Sequence, residues 1–380
     1  MRLFKMAILA TTMLSTSAGL AKADVKVVAS IKPIHSLVSA VMQDVGEPVL
    51  LVEGAGSPHT YSLKPSQARQ LQEADAVFWM GHDLEAFLEN SIENIAVKAV
   101  SIPLMESHGL IKLPFREGGA FDAHDHDHDD HDDHDDDRKH HDHDDDRKHD
   151  DHDDDHKHHD HDDDRKHDDH DDDHKHHEHD DDRKHDDHDD DHKHHDHDDH
   201  DDHGHGETDP HVWLDPQNAK ALVHEIEERL AEIDPANAAI YEANATAMMK
   251  KLDSLNAEIE AELRPVRGRG FIVFHDAYQY FEKRFGLTSV GSLTISPEVM
   301  PGADRVRKLR KKVRELDASC VFSEPQFEPK LVRAVTENTG AGTGVLDPLG
   351  AALDDGPQLY FTLIRTMASS VKACLTKAGS

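Results

Sequence analysis

The chain lacks any long apolar segment, and this absence argues against a membrane-spanning helix. The apolar run from Met6 to Leu14 is too short to span a bilayer, and no later segment is long and apolar enough to do so. Two basic residues precede that run, and Ala21-Lys22-Ala23 fits a cleavage site of the A-x-A type. We therefore predict a signal peptide over residues 1–23, cleavage between Ala23 and Asp24, and a mature chain that does not insert into the membrane.

Cysteine is also scarce, since Cys320 and Cys374 are the only two in the chain. No Cys follows the apolar run of the leader, so a lipid-anchored start is not indicated. An exported chain meets an oxidising environment, in which the two residues can form a disulfide. Two buried free thiols are the alternative. Neither Cys has a nearby Cys partner, which disfavours a cysteine-based metal site.

Positive charge is in short supply, because 42 Lys and Arg stand against 79 Asp and Glu, for a formal net charge of −37. Most of this imbalance comes from residues 124–205, which carry 41 acidic and 11 basic residues. The remaining chain has 31 basic and 38 acidic residues. This ordinary balance gives no sign of nucleic-acid binding, and no nucleic-acid partner is expected.

The same tract, His124 to His205, contains 29 of the 36 histidines, one glycine and no apolar residue. A repeated unit of 18 residues begins at Arg147 and recurs at Arg165 and Arg183. Without apolar residues the tract cannot bury a core, which predicts a disordered loop over residues 122–207. Imidazole suits zinc, copper, nickel and iron, so we predict that the loop binds extra ions weakly. A solvated acidic spacer is the alternative.

Apolar, β-branched stretches alternate with helical patterns on both sides of the tract. This alternation predicts an α/β protein with mostly parallel sheets flanked by helices. Strands are predicted near residues 25–29, 49–52, 76–80 and 97–102 before the tract, and near 271–274, 288–293, 319–322 and 344–346 after it.

Helix starts are indicated by capping residues, with Ser66 and Asp83 as predicted N-caps before the tract. After it, Asp215-Pro216 and Asp234-Pro235 each indicate a helix start. The second of these helices is predicted to reach about Leu263, roughly 43 Å away, and we interpret it as a rigid strut between two lobes. Its predicted apolar stripe comprises Ile240, Tyr241, Met248, Leu252, Leu255 and Ile259.

The predicted domain organisation follows from these elements. We expect a signal peptide (1–23), an N-terminal metal-binding lobe (24–214) with the inserted loop 122–207, a helical segment with the linker helix (215–267), and a C-terminal lobe (268–380).

Seven histidines lie outside the tract, and three of them fall where predicted strands lead into loops: His59, His211 and His275. Such positions are where α/β sheets place ligand sites. For each histidine taken alone, a hydrogen-bonded structural or surface group is the alternative, because spacing does not prove convergence. The other four are predicted to be structural or surface groups: His35, His82, His108 and His224.

Seven segments along the chain carry a resemblance to one family. They are ASIKP (29–33), PHTYSLKPS (58–66), DPHVWL (209–214), FHDAY (274–278), PE with PG (297–298 and 301–302), FSEPQF (322–327) and LDPLG (346–350). They resemble the periplasmic zinc-binding proteins of ABC importers, the ZnuA-type members of the cluster A-I (bacterial solute-binding protein 9) family. A charged, His-rich loop before the second histidine motif is also typical of zinc members.

The resemblance implies two α/β lobes joined by a long helix, with the metal at their interface. Carried over position by position, the implied ligands are His59, His211 and His275. Manganese relatives have a carboxylate where His275 stands, and a third imidazole favours zinc.

For the fourth ligand, the resemblance leaves two alternatives. Some zinc relatives have an acidic residue before the first histidine, but Pro58 occupies that place here. Water or Asp347, which matches an Asp ligand in several relatives, is therefore expected to complete the site. The Cys pair of the zinc branch also supports a disulfide between Cys320 and Cys374.

The implied function is that of a periplasmic, monomeric binding protein that captures Zn²⁺ and passes it to the membrane subunit of an ABC permease. No enzymatic activity is expected. One alternative is a zinc enzyme, since three histidines plus water also form a catalytic pattern, with Asp276, Glu298 or Glu324 as base. Against it, the chain has no H-E-x-x-H motif. Another alternative is a zinc buffer or adhesin that acts through the His-rich tract.

Overall fold

The computed structural model describes residues 25–116, 121, 208–294, 302–327 and 330–377. The predicted signal peptide, with its cleavage site at Ala23 and Asp24, and the predicted loop 122–207 lie outside these residues. Within the described ranges, no helix combines the length and the apolar character needed to pass through a bilayer.

The described strands form two parallel sheets of four strands each, as the α/β prediction requires. The strands are β1 (Val27–Ala29), β2 (Val49–Leu50), β3 (Ala76–Trp79), β4 (Val100–Pro103), β5 (Gly270–Val273), β6 (Thr288–Ser292), β7 (Cys320–Ser323) and β8 (Gly342–Val345). The first sheet has the order β2-β1-β3-β4, and the second repeats this order as β6-β5-β7-β8. The two halves of the chain therefore share one topology.

Helices connect and cover the strands. They are α1 (Lys32–Val41), α2 (Pro65–Glu73), α3 (His82–Asn94), α4 (Pro216–Ile233), α5 (Ala238–Leu263), α6 (Gln279–Phe285), α7 (Ala303–Glu315), α8 (Lys330–Thr336) and α9 (Leu359–Lys377).

Of the four predicted helix starts, one is confirmed, two have the wrong cap, and Asp234 is the N-cap of a short 3-10 turn instead of α5, whose N-cap is Asn237. Asp215 caps α4, where its carboxylate accepts a hydrogen bond from the backbone N–H of Gln217. Helix α2 already begins at Pro65, whose ring fixes a helical φ, so Ser66 lies within the first turn. Gly81 is the N-cap of α3, and Asp83 lies in its first turn.

The central strands are buried on both faces, as expected for parallel sheets covered by helices. In β5, Phe271 and Val273 join the largest apolar cluster while Ile272 joins another. The largest cluster draws on both sheets and on α1, α4, α5 and α9. Helices α2 and α3 cover the outer face of the first sheet, and α7 and α8 that of the second. Both sheets thus belong to one compact unit with a shared core.

The long helix α5 has 26 residues and begins after a short 3-10 turn, Pro235–Asn237. It is about 39 Å long, slightly less than predicted. The predicted stripe is buried except for Ile240, which is 39% exposed. Ile240 precedes buried Tyr241 by one residue, which turns its side chain about 100° away from the stripe. Helix α5 packs against α4 and α9, and also contacts α1.

Cys320 and Cys374 form a disulfide, with a Cα–Cα distance of 6.2 Å. The predicted pairing is confirmed, and the alternative of two free thiols is wrong. The bond joins β7 to the last helix, α9, and so fixes a central strand of the second sheet to the shared core.

Candidate metal centre

Three histidines from distant parts of the chain meet in one place. His59 lies in the loop after β2, His211 precedes the turn that leads into α4, and His275 is the second residue after β5. Their ring centres are 5.6 Å (His59–His211), 6.1 Å (His59–His275) and 5.4 Å (His211–His275) apart. One nitrogen from each ring lies within 4.8 Å of the others. Zinc ligands at bonds of about 2 Å lie roughly 3.3 Å apart in a tetrahedron, so small side-chain shifts suffice to surround one ion.

His211 is held by a carboxylate two residues before it. The Nδ1–H of His211 donates to Oδ1 of Asp209 at 2.6 Å, and the backbone N–H of His211 donates to the same oxygen at 2.9 Å. Gln279 donates to Oδ2 of Asp209 at 2.6 Å, which fixes the carboxylate in turn. This arrangement directs Nε2 of His211 to a ligand, as outer carboxylates do for metal-binding histidines.

His275 has the same kind of support from a residue distant in sequence. Its Nδ1–H donates to Oε1 of Glu324 at 2.7 Å. Its Nε2 is buried and has no hydrogen-bond partner among the described residues. Burial lowers the pKa of His275, but the charge and hydrogen bond of Glu324, with the charges of Asp276 and Asp209, outweigh burial and raise the pKa overall. The buried, unpartnered nitrogen is the atom that a cation would satisfy.

His59 differs from the other two because it is only partly buried and has no carboxylate partner within the described ranges. Burial lowers its pKa well below the ordinary value, and the nearby His211 and His275 lower it further by charge repulsion. The ring is therefore neutral at neutral pH, with a lone pair ready for a metal. Its partial exposure makes His59 the solvent side of the site.

The space between the three rings is small, with a cavity volume of ≈ 20 Å³. One water needs about 10–15 Å³ on this scale. Two buried oxygens on the cavity wall, Oε2 of Glu324 and Oε1 of Gln326, have no hydrogen-bond partner in the part of the chain that the structure describes. The rest of the wall is mostly apolar: Pro58, Trp213, Phe327, Pro348 and Leu349. The cavity can hold an ion with a bound water.

Asp347 lies outside the three-histidine group. Its Oδ1 accepts hydrogen bonds from the backbone N–H groups of Leu349 at 3.1 Å and Gly350 at 2.9 Å, and from the side chain of Gln326 at 3.1 Å. Its Oδ2 accepts from the backbone N–H of Ala351 at 2.7 Å. The carboxylate thus organises the loop beside the cavity.

Two of the three residues considered as catalytic bases are engaged in other contacts. Asp276 forms an ion pair with Arg116, and Glu324 supports His275. Glu298 lies outside the described residues. The other four histidines outside the tract do not belong to this group. His35 bonds to the carbonyl of Pro48 at 3.0 Å, His82 pairs with Glu89 at 2.7 Å, and His108 and His224 are exposed.

The supporting residues were not identified from the sequence. A signal existed for Asp209, because a carboxylate two residues before a histidine can reach its backbone N–H and its ring. No local signal existed for Glu324 as the partner of His275, since 49 residues separate them.

The comparisons with known proteins agree on one family. The family model described as "Zinc-uptake complex component A periplasmic" (ZnuA) matches residues 27–374. The "High-affinity zinc uptake system protein ZnuA" of Brucella suis biovar 1 (strain 1330) is 51% identical over 351 residues, which is 92% of each chain.

Two solved structures show the same fold. A crystal structure of ZnuA has a TM-score of 0.62 at 22% identity and is covered to 99%, with 93% of this chain covered. The laminin-binding protein Lmb of Streptococcus agalactiae, described as bifunctional with adhesin and metal transporting activity, has a TM-score of 0.61 at 20% identity, with 92% of this chain and 99% of Lmb covered.

Proposed function

Because the chain belongs to the ZnuA family of periplasmic zinc-uptake components, we propose that it captures Zn²⁺ in the periplasm and delivers it to an ABC permease in the inner membrane. The convergence of three imidazoles on one small cavity carries this proposal. The mature chain acts as a monomer after its signal peptide is removed.

His59, His211 and His275 bind the ion in this proposal. His211 and His275 use Nε2, because Nδ1 of each donates to a carboxylate. Three nitrogen ligands favour zinc over manganese and magnesium, which prefer oxygen. The two supporting carboxylates fix the orientations of the imidazole rings, which lowers the entropy cost of binding.

We assign the fourth position to a water molecule rather than to Asp347. Support comes from the four hydrogen bonds that already engage Asp347. The unpartnered oxygens of Glu324 and Gln326 on the cavity wall can accept hydrogen bonds from that water. An open fourth position also lets the ion leave when it is delivered.

The proposal assigns no catalytic role, although three histidines and a water are also an enzymatic pattern. The chain also lacks an H-E-x-x-H motif that would pair two zinc ligands with a base. We expect the zinc-loaded protein to show no turnover of esters, CO₂ or peptides, which standard hydrolysis and hydration assays check.

The test of the site is a competition titration with a zinc chelator of known affinity. Wild type should show one tight site, and His59→Ala should weaken it at least about 100-fold, beyond the usual loss of an outer partner. His224→Ala is the matched control, since His224 is exposed on α4 near Glu227 and Glu228. Tight one-to-one binding by His59→Ala would overturn the assigned ligand set.

The His-rich loop is proposed to hold additional ions of lower affinity and to raise the local zinc concentration. Deleting residues 122–207 should leave the tight site within about threefold, since none of its proposed ligands is removed, while the extra ions are lost. The titration above measures both. If tight binding disappeared with the loop, the buffer or adhesin alternative would replace the importer proposal.

A further inference from the structure

Two short segments flank the His-rich loop in the sequence, residues 110–116 before it and 208–211 after it, and we call them the stem. They pair with each other through a bridge between Pro114 and Thr208. The backbone N–H of Asp209 also donates to the carbonyl of Leu113 at 2.9 Å. The second segment leads directly to His211. The stem is therefore one ordered unit joined to a proposed ligand.

Helix α6, which begins four residues after His275, holds the stem from the other side. The hydroxyl of Tyr280 accepts from the N–H of Leu113 at 2.9 Å and donates to the carbonyl of Asp209 at 2.8 Å. The amide of Gln279 donates to the carbonyl of Pro114 at 3.1 Å and to Asp209. The stem and α6 are thus linked by direct hydrogen bonds close to two of the three imidazoles.

Arg116, at the end of the first stem segment, makes the strongest of these links. Its guanidinium forms a bidentate ion pair with Asp276, the residue next to His275. It also donates to both carboxylate oxygens of Glu282 at 3.0 Å and to the hydroxyl of Ser289 at 3.1 Å. The ring of Phe121 covers its outer face, with a centroid distance of 4.1 Å.

Burial makes this link important. The side chains of Asp276 and Glu282 are only 7% and 5% exposed, and Arg116 is 23% exposed. Removing one partner of a buried pair leaves an uncompensated charge, which forces the remaining groups to move or to take up water. Here the groups that would move include the residue that adjoins His275.

We propose that Arg116 is a positioning residue. Its ion pairs act as a latch that holds the loop between β5 and α6, which contains His275, against the stem, and so determine how long a zinc ion stays bound. This inference rests on the proposed function. His211 is the last residue of the stem, while His275 lies in the loop that Arg116 holds through Asp276. When the ion pairs are intact, the two imidazoles stay together. When they break, His275 can move away and the ion escapes.

The test is the zinc dissociation rate, measured by stopped flow with an excess of chelator. Arg116→Met keeps the length and apolar stem of the side chain but removes the charge, and we expect at least a tenfold faster release. Arg284→Met is the matched control, because Arg284 lies on α6 and makes a bidentate pair with Asp215, the N-cap of α4, at 2.6 and 2.7 Å. Release from the control should stay within about threefold of wild type.

A second background shows whether Arg116 acts through its carboxylate partners. In Glu282→Gln, the effect of Arg116→Met on release should be smaller than in wild type, because one of the carboxylates that need Arg116 is then neutral. Thermal unfolding without zinc separates latching from general stability. If the release rates of Arg116→Met and Arg284→Met were equal, or if the two effects simply multiplied, Arg116 would have no latching role.

Two further outcomes are distinguishable. If Arg116→Met does not fold, Arg116→Lys takes its place, since Lys keeps the charge but cannot make the bidentate contacts; its release should still be faster than that of the control, and equal rates would overturn the latch. If wild type itself lacked a tight zinc site, the proposed function would fail, whereas normal zinc binding with unchanged release would refute only the latch.

Discussion

The two sheets have the same strand order, and they place similar side-chain pairs at the same edge. In the first sheet, Ser30 follows β1 and donates to the carboxylate of Glu85, which lies beyond β3. In the second sheet, His275 follows β5 and donates to the carboxylate of Glu324, which follows β7. The strands pair in the same way, β1 with β3 and β5 with β7. Both carboxylates are buried.

The two pairs differ in what remains after the hydrogen bond is made. The hydroxyl of Ser30 offers only a neutral oxygen, which suits zinc less well than an imidazole nitrogen, and Glu85 is further occupied by the backbone N–H groups of Met80 at 2.8 Å and Gly81 at 3.2 Å. The imidazole of His275 has a second nitrogen that stays unpartnered. The same topology thus supports a purely structural hydrogen bond, Ser30–Glu85, in one sheet and a metal ligand, His275, in the other.

The largest expected effect distinguishes the two strand-end residues. His275→Ala removes a ligand and should weaken zinc binding at least about 1000-fold, more than the roughly 10–100-fold loss that follows removal of an outer partner. Ser30→Ala should leave zinc affinity unchanged and cost about 1 kcal/mol of unfolding free energy through its lost hydrogen bond. Calorimetric zinc titration and chemical denaturation measure the two quantities. An equal loss of zinc affinity in both variants would show that the Ser30–Glu85 and His275–Glu324 pairs do not differ in function.

The second prediction concerns the pH dependence of stability. Burial raises the pKa of Glu85 from its ordinary value of 4.5 to about 7, although the bonds from Ser30, Gly81 and Met80 lower it in part. Because the folded pKa is the higher one, protonation of Glu85 stabilises the fold fully below about 4.5, and this stabilisation is lost as pH rises through 7.

Glu85→Gln should remove this dependence, which is of the order of 3 kcal/mol for one group shifted this far. The difference in unfolding free energy between wild type and the variant, measured without zinc from pH 4.5 to 8, gives the size of the effect. A difference that does not change with pH would contradict the shifted pKa of Glu85.

The smallest effect sharpens the role of the second carboxylate. Glu324→Gln keeps the shape of the side chain but weakens its support of His275, and we expect zinc affinity to fall about 10–100-fold. Glu85→Gln is the matched control and should bind zinc like wild type. A normal zinc affinity in Glu324→Gln would mean that packing alone orients His275.

Much of the fold could be predicted from the sequence because the signals were local. Runs of apolar, β-branched residues identify the strands, and their alternation with helical patterns indicates parallel sheets. The Asp215-Pro216 pair identifies the start of α4. The wrong caps at Ser66 and Asp83 show the limit of such signals, since neighbouring residues already begin those helices. Ile240 is exposed because it does not belong to the apolar stripe of α5, in which the prediction had wrongly included it.

The site was less accessible to sequence reasoning. The three histidines came from position-by-position resemblance, because their separation along the chain hides their meeting point. Residues that act through tertiary contact gave no local pattern at all. Arg116 meets Asp276 across 160 residues, and Ser30 meets Glu85 across 55.

The disulfide between Cys320 and Cys374 encloses part of the site within a covalent ring. Glu324, Gln326 and Asp347 all belong to the chain between its ends. A single protease cut anywhere in that stretch therefore cannot release a fragment unless a reductant is present. Nicked protein would migrate as one band on a non-reducing gel and as two on a reducing gel, and its groups around the cavity would stay attached to the rest of the molecule.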